Sequence, residues 1–289
     1  MGSMADTQKI AFQGEPGANS HIACQEALPE MRAVACATFE DALTAVSDGS
    51  ADFGMIPIEN SVAGRVADIH HLLPESGLFI VGEHFHRVRH CLLAVKGARL
   101  QDLKEVHSHT QALGQCRATL RALGLEAVPA ADTAGAARRA AELKDKSRGA
   151  IATRLAAEIY GLEVLKSDVE DEDHNTTRFL VLARERHDPP PGEADVITSF
   201  IFRVRNVPAA LYKAMGGFAT NGVNMTKLES YQIGGSFNAT QFYADIEGHP
   251  AAHNVQLAFE ELEFFTNKFR VLGAYKASPL RRSLSLGDG

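Results

Sequence analysis

The segment Asp171–Leu182 has the sequence D-E-D-H-N-T-T-R-F-L-V-L, and the organisation of the chain can be worked out from it. Three acidic residues and a turn at His174-Asn175 precede an apolar run typical of a buried strand. Thr177, Arg178 and Phe179 bring a hydroxyl, a permanent cation and an aromatic ring to the start of that strand. Because a guanidinium binds a carboxylate through two parallel hydrogen bonds, this grouping suits an anionic ligand with an unsaturated ring. A buried strand after a polar loop is the simpler interpretation when these three residues are taken alone.

Length and composition indicate a globular protein of two domains. The 289 residues exceed one typical domain, and 45% of them are hydrophobic and 22% charged. A net charge of −7 argues against nucleic acid or an anionic membrane as a partner, and no apolar run predicts a membrane span. The four cysteines are dispersed without a C-x-x-C pair, which argues against a zinc site and a disulfide scaffold. Since the start lacks the apolar core of a signal peptide, we expect a cytoplasmic protein.

Strand and helix signals alternate up to about residue 160. The first group is the strand Lys9–Gln13, a helix to Leu28 capped by Asn19 or Ser20, a capping box at Thr38–Asp41 that opens the helix Ala42–Ser47, the strand Ala51–Ile58, and a helix with Val62, Val66, Ile69 and Leu73 on one face. The second group is the strand Glu105–His107, a helix through Leu123, a helix to Leu143 capped at Asp132-Thr133, the strand Gly149–Ala152, and a helix from Thr153-Arg154 to Tyr160. A similar order of elements at 38–73 and 132–160 predicts two similar α/β lobes.

The two lobes require two crossings, which we expect near Val81–Cys91 and Val164–Thr177. The segment Asp171–Leu182 is then the return crossing, with Thr177 in the cleft between the lobes. Ligands of parallel sheets sit outside the carboxyl ends of the strands, and helix starts attract anions. Segments 14–20, 59–61 and 108–115 each lie where a strand is predicted to give way to a helix, so we expect them near this cleft.

A second domain follows the Pro- and Gly-rich linker Arg186–Asp195, which cannot continue a helix or a central strand. The pattern after it is β-α-β-β-α-β, the order of a ferredoxin-like fold. Its predicted elements are Ser199–Val204, Ala209–Thr220, Asn224–Gln232, Ser236–Ile246, Ala251–Thr266 and Phe269–Ala274, with a hairpin at Gly234-Gly235. We expect the polar tail from Lys276 to be loosely held.

Several kinds of site are disfavoured by spacing. His84, His86 and His90 share a face of a possible strand, but no zinc-type spacing accompanies them, and Arg87 and Arg89 would repel a cation. Surface or hydrogen-bonded histidines are therefore the favoured interpretation. No G-x-G-x-x-G, Walker lysine or G-x-S-x-G is present, so no cofactor, no metal and no nucleophile elbow is predicted. The acidic run Glu170–Asp173 is interpreted as a solvated loop.

Three motifs in order carry a family resemblance. They are Ile56-Pro-Ile-Glu-Asn-Ser61, Ser108-His-x-Gln111 with Gln115-Cys116, and Thr177-Arg-Phe179. In this order they resemble the prephenate dehydratase family, and Asn221-Gly-Val-Asn-x-Thr-Lys-x-Glu-Ser230 resembles the phenylalanine-binding ACT module that follows it there. The resemblance covers about residues 7–275.

The resemblance implies a fold, an activity and site residues. The implied fold is a two-lobed, periplasmic-binding-protein-like α/β catalytic domain over 7–185, followed by an α+β ferredoxin-like ACT domain over 196–275. The implied reaction is prephenate to phenylpyruvate, water and carbon dioxide, on the route to L-phenylalanine. Thr177 is the implied catalytic residue, and Arg178 the implied anchor for a carboxylate. The other implied substrate-binding residues are Glu59, Asn60, Ser61, Ser108, Gln115 and Phe179.

For the second domain the resemblance implies a homodimer or homotetramer whose paired ACT modules bind L-phenylalanine as an allosteric effector. The implied effector residues are Ala209, Ala210, Leu211, Asn221, Asn224, Glu229 and Ser230. Two departures stand out: the family's G-A-L is Ala209-Ala210-Leu211, and its E-S-R-P is Glu229-Ser230-Tyr231-Gln232. We expect both departures to alter the strength of phenylalanine binding, since an added methyl group crowds a close approach.

Two other functions stay open. An arogenate dehydratase would keep the fold and need an acidic group in the cleft for the substrate's amino group; Glu15 and Glu59 are candidates. A two-lobed cytosolic sensor would bind a ligand without chemistry. A turnover assay separates an enzyme from the sensor.

Overall fold

The structure, a computed structural model, describes residues 7–205, 207–233 and 236–281. The chain divides into two compact units. The first comprises the chain up to Ala45, Ser50–Val66 and Phe85–Phe179; the second comprises Val46–Gly49, Ala67–His84 and the chain from Leu180. Within these ranges no helix is both long enough and apolar enough to span a bilayer.

The first sheet contains the N-terminal strands and the strand at Thr177. Its strand order is β2-β1-β3-β11-β5, with β4 paired to β3, and β1 runs parallel to both β2 and β3. The elements in this part of the chain are β1 (Lys9–Gln13), α1 (Asn19–Ala27), β2 (Arg32–Cys36), α2 (Phe39–Ser47), β3 (Phe53–Asn60), β4 (Gly64–Arg65), α3 (Ala67–Glu75) and β5 (Phe79–Arg87), and β11 (Thr176–Ala183) returns to it.

The second sheet is formed by the chain between β5 and β11. Its order is β10-β6-β9-β7-β8, with β7 parallel to β8 and β9, and β6 antiparallel to β9 and β10. The elements are β6 (Cys91–Ala94), a 3-10 turn (Leu100–Asp102), β7 (Glu105–His109), α4 (Thr110–Gln115), α5 (Arg117–Ala122), β8 (Glu126–Ala130), α6 (Thr133–Leu143), β9 (Arg148–Ala152), α7 (Arg154–Tyr160) and β10 (Glu163–Lys166). Alanines of α6, α7 and β9 let these layers pack closely.

The two crossings between the sheets lie where the sequence predicts them. The chain leaves the first sheet after Arg87 and returns to it at Thr176. The crossing segments pair with each other, since Val88 N donates to Asn175 O at 2.9 Å and Val169 N donates to His90 O at 3.0 Å. The prediction of two α/β lobes joined by two strand crossings is confirmed.

The C-terminal part of the chain has the ferredoxin-like fold. Its antiparallel strands have the order β13-β14-β12-β15. The core is aromatic, with Phe200, Phe202, Phe218 and Phe259 buried together. The elements are β12 (Val196–Val204), α8 (Ala210–Thr220), β13 (Met225–Ile233), β14 (Ser236–Glu247), α9 (His253–Phe264) and β15 (Thr266–Lys276). The hairpin predicted at Gly234-Gly235 lies outside the described residues.

Helices α6 and α7, whose N-cap side chains cap them, begin where the sequence predicts. Helix α1 has no side-chain cap. Asp132 and Thr153 accept the N–H groups of Gly135 and Ala156 as N-caps of α6 and α7. The prediction that Asn19 or Ser20 caps α1 is wrong, because the N-cap is Ala18 and it makes no side-chain cap.

The prediction of a helix directly after Ser61 is also wrong. The strand β3 continues through Asn60, a turn follows, and α3 begins only at Ala67, so Val62 and Val66 are not on its face. Asn60 Oδ1 accepts the N–H groups of Val62 and Ala63 at 3.0 and 2.8 Å. An asparagine side chain that satisfies these donors stabilises a turn rather than a helix.

The helix predicted through Leu123 is broken at Cys116 into α4 and α5. The break depends on a distant residue: Asp171 accepts the N–H groups of Ala118 and Thr119 at 3.0 and 3.3 Å. These are first-turn donors of α5, which need an acceptor outside the helix. The interpretation of residues 170–173 as a mere solvated loop is therefore wrong at Asp171, and also at Glu170, whose Oε2 accepts His90 N at 2.9 Å.

The start of the tail is held more firmly than expected. Arg281 forms two hydrogen bonds with Glu83, at 2.6 and 2.8 Å, and Ser278 N donates to the same carboxylate at 2.9 Å. The side chain of Glu83 is fully buried. The tail prediction is therefore wrong as far as Arg281.

Candidate functional site

The ends of β3 and β11 place Asn60 beside Thr177. Asn60 Nδ2 donates to Thr177 Oγ1 at 2.9 Å and to Asn175 Oδ1 at 2.7 Å, with a longer contact of 3.2 Å to the Thr176 carbonyl. Asn60 Oδ1 is used by the turn described above, so the whole carboxamide has protein partners. The structure therefore places Asn60 as the residue that holds Thr177, rather than as a free group for substrate.

The Thr177 hydroxyl keeps its hydrogen available. Its oxygen accepts from Asn60, and within the described ranges no acceptor for its O–H is found. The residue is half-buried at the start of β11. A hydroxyl of this kind can donate a hydrogen bond to a ligand.

Arg178 and Glu59 pair on the other side of the two strands. Successive side chains of a strand point to opposite faces, so Arg178 lies opposite Thr177, and Glu59 lies opposite Asn60. Arg178 Nη1 is 3.0 Å from Glu59 Oε1, and the arginine side chain is only 3% exposed. The resemblance implies that Arg178 anchors a substrate carboxylate. In the structure, however, its guanidinium is buried beside Glu59.

Ser61 ties the return crossing to β3. Its Oγ donates to the His174 carbonyl and accepts from Thr176 N, both at 2.9 Å. Ser61 N also donates to the Thr176 carbonyl at 2.9 Å. These three bonds fix the backbone immediately before Thr177.

Ser108 and Phe179 lie in the interior. Ser108 is fully buried in β7 and donates to the Ile151 carbonyl at 2.7 Å, and Phe179 is 1% exposed. Neither side chain can reach a ligand without a rearrangement. The assignment of both as substrate-binding residues stays a prediction without support from this geometry.

Two residues that sequence reasoning did not select extend the network from Thr177. Asn175, which is buried, receives the bond from Asn60 and donates through Nδ2 to Gln115 Oε1 at 2.9 Å. Gln115 Oε1 also lies 2.9 Å from His90 Nε2. The only sequence signal for Asn175 is its place in the turn before Thr177, and the only one for His90 is that it shares a strand face with His84 and His86.

The hydrogen-bonded interpretation of the histidines holds for His86 and His90. His86 contacts Glu26 and Asn19. Burial lowers the pKa of His90, a shift that its bond to Gln115 and the nearby Glu170 partly oppose. His90 is therefore neutral at pH 7. In the part of the chain that the structure describes, no group of three or more His, Cys, Asp or Glu side chains could hold a metal ion.

A cavity of about 360 Å³ lies next to this network. Its walls come from the turn after Asn60, from α4 and from the return crossing. The lining residues are Val62, Ala63, Gln111, Gly114, Gln115, Asp171 and Glu172. Gln115 belongs to both the network and the cavity, whereas Thr177 is not among the lining residues; the link through Gln115 makes this cavity the candidate substrate site.

The expected effector residues are spread over the ferredoxin-like fold. Ala209–Leu211 lie at the start of α8, Asn221 and Asn224 after its end, and Glu229 and Ser230 in the edge strand β13. Ala209 has φ +58°. This left-handed conformation suits glycine, so the alanine that stands in place of the family's glycine is strained.

Comparison with known proteins agrees with these observations. The model of a family described as prephenate dehydratase matches residues 10–187. A bifunctional N-acyl-homoserine lactone acylase/prephenate dehydratase of Komagataeibacter europaeus is 52% identical, over 94% of this chain and 97% of its own length. Arogenate dehydratase/prephenate dehydratase 2 of Arabidopsis thaliana is 40% identical, over 92% of this chain and 72% of its own length.

A solved structure matches the chain across both the two-lobed and the ferredoxin-like parts. It is prephenate dehydratase from Arthrobacter aurescens in complex with L-Phe, which is 27% identical and has a TM-score of 0.85. The match covers 97% of this chain and 98% of the other. The chain therefore belongs to the prephenate dehydratase family.

Proposed function

We propose that this protein is a prephenate dehydratase that converts prephenate to phenylpyruvate, water and carbon dioxide. The observation that carries the proposal is the Thr177 hydroxyl, which accepts from Asn60 at 2.9 Å and keeps its own hydrogen for a ligand. Family membership supplies the reaction class, and the cavity lined by Gln115 supplies room for a small substrate.

In this reaction two bonds between the substrate ring and its substituents break. The C–C bond to the ring carboxylate releases carbon dioxide, and its electron pair completes the aromatic ring as the C–O bond to the ring hydroxyl breaks. The departing hydroxide takes one proton and leaves as water. Aromatisation supplies the driving force, so the protein needs to orient the ring and assist the leaving hydroxyl.

Thr177 is the residue that we assign to the leaving hydroxyl. A threonine hydroxyl is a very weak acid, so it donates a hydrogen bond to the leaving hydroxyl, and the proton that completes the water molecule comes from solvent and passes through the Thr177 hydroxyl, which is reprotonated as it gives its own proton away. The bond from Asn60 polarises the Thr177 O–H, because hydrogen bonds in a chain strengthen one another. Gln115 Nε2 is assigned to the polar edge of the substrate.

The carboxylate that leaves should be weakly paired, because stabilising it in the ground state slows its loss. Asp171 and Glu172 at the cavity give that region a negative potential, in keeping with this requirement. Arg178 supports the strand from its buried side through Glu59. Anchoring of the second carboxylate by Arg178 stays a prediction and would require the arginine to rearrange.

Arogenate is the second candidate substrate, and one of these two acids, Glu172, favours it. Arogenate carries an ammonium group where prephenate has a keto group. Asp171 is occupied by the N–H groups of α5, whereas Glu172 is largely exposed and has only a long contact of 3.7 Å with His174 Nδ1, so it could pair with that ammonium group. Glu59 and Glu15 are weaker candidates, since Glu59 contacts Arg178 and Glu15 contacts Arg138.

We also propose that L-phenylalanine binds to the C-terminal domain and inhibits the enzyme. In a single chain the expected effector residues are far apart, because the 11 residues of α8 separate Ala209–Leu211 from Asn221 by about 16 Å at 1.5 Å per residue. A homodimer or homotetramer would bring one end of α8 to the other end in a neighbouring copy. A coupling free energy of about 1–3 kcal/mol would give several-fold to hundred-fold inhibition.

One experiment tests these proposals together. Purified protein is incubated at neutral pH with prephenate or arogenate at equal concentrations, with and without L-phenylalanine, and both aromatic products are quantified. We expect phenylpyruvate from prephenate, a ratio of kcat/KM that favours prephenate, and a lower rate with phenylalanine. No product from either substrate would reject the dehydratase, and a higher kcat/KM for arogenate would replace prephenate as the substrate.

The remaining arms separate regulation from catalysis. Product formation that phenylalanine does not change, together with no saturable binding of labelled phenylalanine in equilibrium dialysis, would reject the regulatory proposal alone. A separate incubation with an N-acyl-homoserine lactone tests for acylase activity. It is included because the relative from Komagataeibacter europaeus is named as both an acylase of such lactones and a prephenate dehydratase.

A further inference from the structure

His90 lies at the first crossing, where its backbone N–H and carbonyl are both bonded to the return crossing. Its N–H donates to Glu170 Oε2 at 2.9 Å, and its carbonyl accepts from Val169 N at 3.0 Å. The residue is 2% exposed. The main chain of His90 is therefore held on both its N–H and its carbonyl side.

The direction of every hydrogen bond from the turn at Asn60 to His90 is fixed. The N–H groups of Val62 and Ala63 occupy Asn60 Oδ1, so the amide nitrogen of Asn60 must be the donor to Asn175 Oδ1. Asn175 must then donate through Nδ2 to Gln115 Oε1. Because that oxygen is an acceptor, the remaining contact requires a hydrogen on His90 Nε2.

This arrangement leaves His90 Nδ1 as a bare acceptor. The atom is buried, and no hydrogen-bond partner for it is found within the described residues. A buried polar atom without a partner is costly, and each such atom in a folded protein calls for an explanation. The Nε2–H donor to Gln115 offsets part of this cost.

The consequence falls on the Gln115 carboxamide. Its oxygen accepts from both His90 and Asn175, so the amide cannot rotate by 180° without placing two donors against its nitrogen. Its Nε2 hydrogens have no protein acceptor among the described residues, and Gln115 lines the cavity. The two N–H groups are thus held as donors for a ligand.

We propose that His90 is a positioning residue for the dehydratase reaction, acting with Asn175 to hold the Gln115 carboxamide with its N–H groups toward the substrate. The proposal rests on the proposed function for its kinetic consequence but not for its structural part. It predicts that His90 acts only through Gln115 and needs only its Nε2–H.

The kinetic test is a double-mutant cycle in the full-length protein. His90→Leu removes the donor and should lower kcat about tenfold to hundredfold, somewhat less than the loss of a direct transition-state donor, with KM within about threefold. In His90→Gln the glutamine side chain places an N–H donor at a similar distance from the backbone, so this variant should keep most of the wild-type kcat. In a Gln115→Leu background, His90→Leu should change kcat by less than about twofold, since residues acting as a unit are non-additive. His249→Leu, a change at a buried histidine bonded to the Pro189 carbonyl, is the control and should leave kcat unaltered.

A full additional loss from His90→Leu in the Gln115→Leu background would overturn the proposal, as would a His90→Gln protein no better than His90→Leu. A readout without turnover keeps the proposal testable if the variants fold poorly or neither substrate reacts. The ring ¹⁵N shifts of His90 in the wild-type protein at neutral pH should show a protonated Nε2 and an unprotonated Nδ1. The opposite tautomer or an imidazolium would contradict the proposal, whereas absence of turnover alone would reject only the proposed function.

Discussion

Thr177 and Arg178 are neighbours in sequence, but their side chains leave β11 on opposite faces and have different environments. Thr177 meets Asn60 at the half-buried end of the strand, and Arg178 meets Glu59 in the interior. Alternation along a strand explains how one short motif can supply both a reactive hydroxyl and a buried support. The hydroxyl side carries the proposed chemistry.

Replacing Thr177 by Ala should lower kcat by about 10²–10⁴, the usual contribution of a positioned proton donor. The folding free energy should change by only about 1 kcal/mol, since one hydrogen bond to Asn60 is lost. Thr177→Ser keeps the hydroxyl and should retain activity within about tenfold. Phenylpyruvate formation and urea denaturation of both variants measure the two effects. Near-normal kcat in Thr177→Ala would remove the hydroxyl from the mechanism.

At the scale of the elements, local sequence was sufficient where a side chain caps its own helix. Thr38, Asp132 and Thr153 fall into this class, and their helices begin close to the predicted positions. The break between α4 and α5 was not predictable in this way, because its acceptor is Asp171, more than fifty residues away. Periodicity predicts an apolar face, but it contains no information about a partner that another crossing of the chain supplies.

The loop between β1 and α1 depends on Gly17 where it meets α7. Gly17 has φ +90°, and an added Cβ would lie 2.7 Å from Ala156 Cα. Thr153 donates to the Gly17 carbonyl and also caps α7 through Ala156 N. The close approach of this loop to the helix therefore needs both the left-handed conformation and the absence of a side chain.

Gly17→Ala should destabilise the protein by about 2–5 kcal/mol, from the strained backbone together with overpacking against Ala156. Gly161→Ala is the matched control at the other end of α7: it also has a positive φ, +69°, but an added Cβ would have nothing within 4 Å. The control should cost only about 1–2 kcal/mol for the backbone conformation. Urea denaturation of both variants decides the matter, and equal losses would show that contact with α7 contributes nothing.

At the scale of the whole molecule, the sequence predicted the two lobes, both crossings and the ferredoxin-like fold. It also selected Asn60 and Thr177, because each lies in a short motif and the motifs follow one another in the order of a known family. The roles of Arg178 and Ser108 could not be read in this way, since both are buried and bonded inside the protein. His90 and Asn175 were missed for a related reason: their function depends on which nitrogen or oxygen faces which partner.

Two histidines should make the stability of the folded protein fall as the solution is acidified from neutral pH. Burial lowers the pKa of His21 and of His90 below the usual 6.5. His21 Nδ1 accepts the N–H of Gly17, and His90 Nδ1 is buried without a partner in the described part of the chain, so a proton on either atom is disfavoured in the folded state. The unfolded chain takes up those protons first. The contribution of these two histidines to the free energy of unfolding is therefore fully present above about pH 7. It is lost as the pH falls below 6.5 toward the lower pKa values that the histidines have in the folded state.

The decline should approach at most about 1.4 kcal/mol per pH unit for each histidine. It should appear between pH 6.5 and about 5, before the carboxylates with lowered pKa values, such as Asp102 and Glu142, begin to take up protons. Urea denaturation at pH 7.5, 6.5 and 5.5 measures it, with His90→Gln as the variant that cannot titrate. A smaller slope for His90→Gln would assign part of the decline to His90, because the glutamine keeps the donor to Gln115 and takes up no proton. A slope unchanged from that of the wild-type protein would show that His90 titrates equally in the folded and unfolded chain, and its burial would then not hold the imidazole neutral.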